Sequence, residues 1–301
     1  MTRRHLVVVD YVLSPLFNGL FMAMVVFLFT TGLTLIFGIL RVLNFAHGGF
    51  FMIGAYVAFS IVRLVGGETS MLAYLAISTV AGIVVGLLGL VVERVIFRPL
   101  QKVDEAYSLI ATYALLLITE GAVKAVWGVS FHSVATPDLL GGAVFAGDLF
   151  MPTYAIFIIA IGVASYALLE WVLQHTDTGK LMKSVASDPW MAGMLGVNVP
   201  RFYAFIVVLG FFLAGIAGGL LLPNQTLSPN LASTFVIQAF GALIVGGMGN
   251  IRGTFLAAIM LCVIDSFGSL LFSEVPGLFF YIAMTAALLL RPQGLIAGAR
   301  L

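Results

Sequence analysis

Apolar residues run along this chain in stretches of about 20 with almost no charge, and with neither the alternation of a half-buried strand nor the stripe of an amphipathic helix. A helix of that length crosses a hydrocarbon core of roughly 30 Å, so each stretch predicts a membrane-spanning helix. Nine stretches qualify: Leu16 to Leu40, Phe45 to Val65, Met71 to Val92, Ala106 to Val126, Leu149 to Leu173, Phe202 to Leu222, Leu231 to Met248, Gly253 to Phe272 and Gly277 to Leu290. The uncharged run from Phe202 to Ile251 is too long for one crossing, and Pro223, Asn224, Pro229 and Asn230 mark a turn within it. The last stretch is short and Ala106 to Val126 contains Glu120, so the count is eight to nine. The expected fold is an all-α polytopic membrane protein, a single domain over residues 1–301 with eight to nine transmembrane helices.

Composition agrees, since 61% of the 301 residues are hydrophobic and 9% are charged, against roughly 25% charged in soluble proteins. That excludes a soluble domain. A net charge of +1, without basic clusters, excludes nucleic-acid binding. Cys262 is the one cysteine, and four histidines without close spacing leave no metal site. The apolar stretch after Arg3 and Arg4 ends at Asp10, too soon for a cleavable signal peptide, so the first long run is expected to be a retained helix.

Lys and Arg are enriched in cytoplasmic connections. Nine spans place Arg41, Arg94, Arg98, Lys102, Lys180, Lys183, Arg201, Arg252, Arg291 and Arg300 on one side, and Arg3, Arg4, Arg63 and Lys124 on the other. The C-terminus is therefore expected inside. The odd count puts the N-terminus outside, against the charge of Arg3 and Arg4.

Several polar positions stand out from the apolar background. The longest polar connection, 174–201, carries Asp188, Ala192 and Gly196 at four-residue spacing, which on one helix would form a narrow stripe of small or polar side chains. It is either a docking helix or a solvated loop. Between the first two runs, Arg41, Asn44 and His47 sit among glycines, either at a headgroup-level turn or at a broken helix lining a cavity. Asn250 and Arg252 stand in a similar glycine-rich turn, a candidate internal repeat. Glu120 and Lys124, one helical turn apart, suggest an ion pair. Asp265 falls mid-span, where a charge faces protein or water, in a structural role or along a path. Gly82, Gly86 and Gly89, like Gly215, Gly218 and Gly219, suit close helix packing.

No catalytic motif is present, and the one Gly-Lys pair, Gly179-Lys180, precedes Leu181 and so forms no phosphate-binding loop. Uphill transport by such a chain needs either ATP hydrolysis in another subunit or an ion gradient, for which Asp265 is the candidate coupling residue.

The segment 32–56, GLTLIFGILRVLNFAHGGFFMIGAY, resembles the N-terminal signature of the LivH type of permease, the membrane subunit of branched-chain amino acid ABC importers. Phe17-Asn18-Gly19, ERVIFRPL at 93–100, TGKLMKSVASDPWMAGMLGVNVPRF at 178–202, GGMGNIRGT at 246–254 and RPQGL at 291–295 resemble that family in the same order. The resemblance covers essentially the whole chain and implies a subunit of the bacterial inner membrane. Its implied partners are a second permease, two ATPase subunits that bind ATP and Mg, and an extracytoplasmic binding protein; it implies no cofactor in this chain. It also implies that Gly179 to Arg201, within the 174–201 connection and with Lys180, Asp188, Ala192 and Gly196, couples to the ATPase. Asn44, His47, Asn250 and Asp265, polar within or between the apolar runs, are the candidates for the path or its gate. Many members carry an acid after the His-Gly pair where this chain has Gly49, so no role of that acid transfers. Related permeases serve urea, short amides and aromatic acids, which stand as alternative cargoes beside the ion-coupled carrier.

Overall fold

The computed structural model describes residues 2–67, 69–101, 103–146, 149–275 and 277–296; Lys102 and Arg300, used above to orient the chain, lie outside them. The bundle opens with α1 (Thr2–Leu40), α2 (Ala46–Val65) and α3 (Met71–Val92). A π-helical turn (Glu93–Phe97) carries α3 into the short α4 (Arg98–Leu100), and α5 (Glu105–Trp127) follows. A hairpin of β1 (Ala143–Ala146) and β2 (Leu149–Pro152) then leads into α6 (Thr153–His175). Two short helices, α7 (Asp177–Ser187) and α8 (Pro189–Met194), precede α9 (Val199–Leu221), α10 (Leu231–Gly246), α11 (Ile251–Leu271) and α12 (Leu278–Leu290).

Each of the nine apolar stretches contains a helix, but seven helices among the described residues are long and apolar enough to span a membrane. With 16 and 13 residues, α10 and α12 reach only about 24 and 20 Å. Among the described residues seven helices thus qualify as spans by length and composition, short of the expected eight to nine. The hairpin is a second departure from an all-helical chain, since residues 149–152, expected to open a span, pair with 143–146 and the helix starts at Thr153.

Polar side chains just ahead of the apolar runs decide where many helices begin. Ser70, Asp104, Thr176, Asp188, Asn198 and Asn250 each accept a hydrogen bond from a backbone N–H in the first turn that follows, satisfying donors with no partner in the helix. At the other end of α9, the hydroxyls of Tyr74 and Tyr154 donate to the carbonyls of Gly219 and Leu220.

Apolar side chains gain little by leaving lipid for one another, so the bundle depends on close backbone approach. Gly54 of α2, Gly215 of α9 and Gly82 of α3 meet in one seam. A Cβ on Gly54 would lie 2.5 Å from the Gly215 Cα, and one on Gly215 would lie 2.8 Å from the Gly82 Cα. The spacing of Gly82 and Gly215 read from the sequence has this packing as its cause.

Connections gather at two ends of the bundle. At one end the turn before α11 touches the end of α1, a Cβ on Gly249 falling 2.9 Å from the Gly38 Cα, and α7 and α8 fold beneath α6. At the other, His132 and Leu227 exchange backbone hydrogen bonds, and the Asp138 N–H donates to the Thr69 carbonyl.

Candidate functional site

The connection 174–201 is a folded module of two helices, and it corrects the stripe read from its spacing. Asp188 breaks the segment and caps α8, its Oδ1 accepting from the Met191 N–H at 2.9 Å. Ala192 faces inward and is 4% exposed. Gly196 stops α8 with a left-handed backbone (φ 92°), where Val197 N–H returns to the Ala192 carbonyl at 3.1 Å. One cap, one inward residue and one stop share no face. The four-residue period was real, but α8 spans only Pro189–Met194, so the first member of the stripe is its cap and the last lies beyond its end.

The outward face of α8 and its last turn is instead large and apolar. Trp190 is 69% exposed, Met191 48%, Met194 70% and Leu195 79%. These four lie outside the spanning helices, and a contiguous apolar patch rich in Trp and Met is the composition of a protein-binding hot spot. Their signal in the sequence is the pair of apolar doublets, Trp190-Met191 and Met194-Leu195, inside an otherwise polar connection.

A firm base holds this patch. On α7, Met182 and Val185 are buried against the bundle. Gly179 meets the carbonyls of Val172 and Leu173 so closely that no Cβ fits, which lets α7 fold back under α6. Lys180 on the outer face pairs with Asp177 at 2.9 Å and holds that carboxyl below its usual range. Glu170, near the end of α6, is ion-paired with Arg252 in the first turn of α11.

Asn44 and His47 lie at and just inside the start of α2, both fully buried in protein. The His47 ring stacks on Phe29 at 5.1 Å, and its Nε2 lies 3.1 Å from the Phe29 carbonyl oxygen. Neither the Asn44 side-chain amide nor His47 Nδ1 has a hydrogen-bonding partner among the described residues. Buried polar atoms left unpaired are costly in a helical bundle; among the described residues three of nine lie in this turn, and the others include Thr30, Tyr56 and the Asn250 Nδ2. Asn250 lies nearby in the fold: the glycine turn it belongs to packs on Gly38, and Thr254 of the next helical turn faces Thr34 of α1 at 3.1 Å. Its Oδ1 accepts from the Gly253 N–H at 3.0 Å, a helix cap. The two glycine-rich turns, read as repeats, are packing partners.

The two acids placed in spans have specific partners. Asp265, half-buried on α11, accepts through Oδ1 from the Phe280 N–H at 3.0 Å and so caps α12 from the side. It stands apart from Asn44 and His47. Glu120 is not paired with Lys124; its carboxylate accepts from the Ser233 hydroxyl at 2.5 Å, joining α5 to α10. Beside it, Thr119 occupies the space that a side chain at Gly49 would need. The missing acid at that position thus has a steric counterpart.

Against known proteins, residues 15–289 match the family described as branched-chain amino acid transport system, permease component. The high-affinity branched-chain amino acid transport system permease protein LivH of Salmonella typhimurium is 29% identical over 297 residues, covering 95% of this chain and 96% of that protein. BraD of Pseudomonas aeruginosa, similarly described, is 29% identical over 294 residues and covers 94% and 95%. A probable branched-chain amino acid permease, LivH of Methanocaldococcus jannaschii, is 29% identical and covers 89% and 87%. The chain belongs to the permease-component family of branched-chain amino acid transport systems.

Proposed function

We propose that this chain is the permease subunit of an ATP-driven importer of branched-chain amino acids, working with a second permease, two ATPase subunits that bind ATP and Mg, and an extracytoplasmic binding protein. The observation that carries the ATP-driven part is the α7–α8 module, an apolar patch on a braced support outside the spanning helices. The cargo rests on the family and on the stated substrates of relatives aligned over nearly the whole chain.

In this reading all nine long or short apolar helices cross or enter the inner membrane of a bacterial cell, and the end bearing α7 and α8 faces the cytoplasm with the C-terminus. Closure of the ATPase pair pushes on Trp190 and its neighbours. The push passes through α7 to the end of α6, and through the Glu170–Arg252 pair to α11 and the glycine turn packed on α1. Helix ends around Asn44 and His47 then shift to open or close the passage. This is a rigid-body relay between two packed arrangements, with ATP binding supplying the difference in stability.

Cysteine labelling tests the orientation on which the rest depends. In a Cys262→Ala background, a single cysteine at Ser184 should be protected from an impermeant thiol reagent added outside intact cells, and one at Asn224 should react. Both positions are exposed. The reverse pattern would place the module on the wrong side for an ATPase.

A further inference from the structure

At the same end of the bundle as α7 and α8 lies a cavity of about 480 Å³, within the usual range for small-molecule pockets. Three connections enclose it: the end of α1, the link from α4 to α5 and the turn before α11. Its walls are apolar at Phe37, Leu40, Leu109 and Met248, and the polar residues that line it include Arg41, Gln101 and Ser108. No carboxylate is among the described lining residues.

Arg41 occupies an unusual backbone position. It stops α1, its N–H donating to the Phe37 carbonyl at 2.9 Å, with φ at +56°. A helix stop in the left-handed region is ordinarily glycine, because a Cβ there is strained. Among the described residues Arg41 is the one non-glycine residue with positive φ, while Gly66, Gly128, Gly196 and Gly247 take such positions elsewhere. Local geometry favours glycine, so the arginine is kept for what its side chain does. Strain of this kind gathers at functional sites.

Resting on the proposed function, we infer that this cavity is a release station for the transported amino acid, in which Arg41 holds the carboxylate and the apolar walls take the branched side chain before it enters the cytoplasm. A guanidinium matches a carboxylate with two parallel hydrogen bonds. The apolar walls suit a hydrophobic amino acid better than a phosphate, whose oxygens need donors on several sides, and the lining Gln101 and Ser108 supply acceptor oxygens for the α-ammonium. A lipid headgroup is the other source of an anion at this depth.

The complex of this chain with its partner permease and ATPase subunits, in phosphatidylcholine nanodiscs without binding protein, is dialysed against radiolabelled leucine. Saturable binding is expected in the wild type. Arg41→Gly should weaken it about tenfold or more, the size of a lost charge-assisted hydrogen bond. Arg41→Lys, which keeps the charge but not the planar pair of donors, should weaken it less than Arg41→Gly does, and leucinamide, which lacks the carboxylate, should not compete. Thermal stability of Arg41→Gly should equal or exceed the wild type, because glycine relieves the strained stop. Absence of saturable leucine binding, or binding unchanged in Arg41→Gly, overturns the station. So does loss of wild-type binding once phosphatidylglycerol is added to the discs, which would make Arg41 a headgroup anchor. Failure of the function reading would appear separately, as absence of ATP-driven uptake by wild-type vesicles.

Discussion

The Glu170 carboxylate and the Arg252 guanidinium form an ion pair that joins the end of α6 to the first turn of α11, across 82 positions of sequence. It is the polar link between the helix that enters the α7–α8 module and the glycine turn packed on α1. Both partners are partly exposed, so the pair contributes only about 1 kcal/mol to stability. Arg252→Ala should leave the complex assembled and lower ATP-driven uptake several-fold, and the exchange Glu170→Arg with Arg252→Glu should restore much of it. Equal uptake in wild type and Arg252→Ala would remove the pair from the relay.

For the α8 patch, Trp190→Ala should weaken association with the ATPase subunit by about 30-fold, corresponding to roughly 2 kcal/mol at a hot spot. Lys183→Ala, on exposed α7 away from the patch, should change it less than threefold. Co-purification from membranes at graded detergent and salt reads both. Retention of the ATPase by a Trp190→Ala, Leu195→Ala double variant would assign the docking surface elsewhere.

Asn44 allows stability and function to be separated. Leu is close to Asn in shape and removes two buried polar atoms that lack protein partners. Asn44→Leu should therefore raise the thermal midpoint, by up to about 1–3 kcal/mol of stability, while lowering uptake. A variant that is both stabler and fully active would reduce Asn44 to a poorly satisfied structural residue.

Asp265 discriminates between ATP-driven and ion-coupled transport. Asp265→Asn keeps an oxygen for the Phe280 N–H but removes the charge. ATP-driven uptake should be unchanged, and Asp265→Leu should cost about 1 kcal/mol through the lost cap. Gradient-driven leucine accumulation by the wild type that disappears in Asp265→Asn would favour the ion-coupled carrier.

The helices were legible because a span is specified by composition over 20 residues, and tertiary packing rarely overrides so long a signal. Interactions of one or two residues were harder to read. Asp188 and Asn250, singled out for chemistry, also carry the plain signature of a polar residue ahead of a helix, and capping is the role their oxygens show. The stripe of Asp188, Ala192 and Gly196 failed because α8, six residues long, holds only Ala192 within its helical body. Glu120 was assigned to its neighbour in sequence, whereas its partner, Ser233, lies on a helix 113 positions away. Arg41 looked like an ordinary interfacial cation, since positive φ is a property of the folded backbone.

The most direct measurement of the central claim is leucine uptake by proteoliposomes holding this chain with its partner permease and ATPase subunits, supplied with the binding protein outside and MgATP within. Accumulation above the external concentration should require ATP and the binding protein, should persist when proton and sodium gradients are dissipated, and should fall at least tenfold in Trp190→Ala, Leu195→Ala vesicles. Uptake that continues without ATP, or that leaves leucine at the external concentration in every condition, would contradict the account.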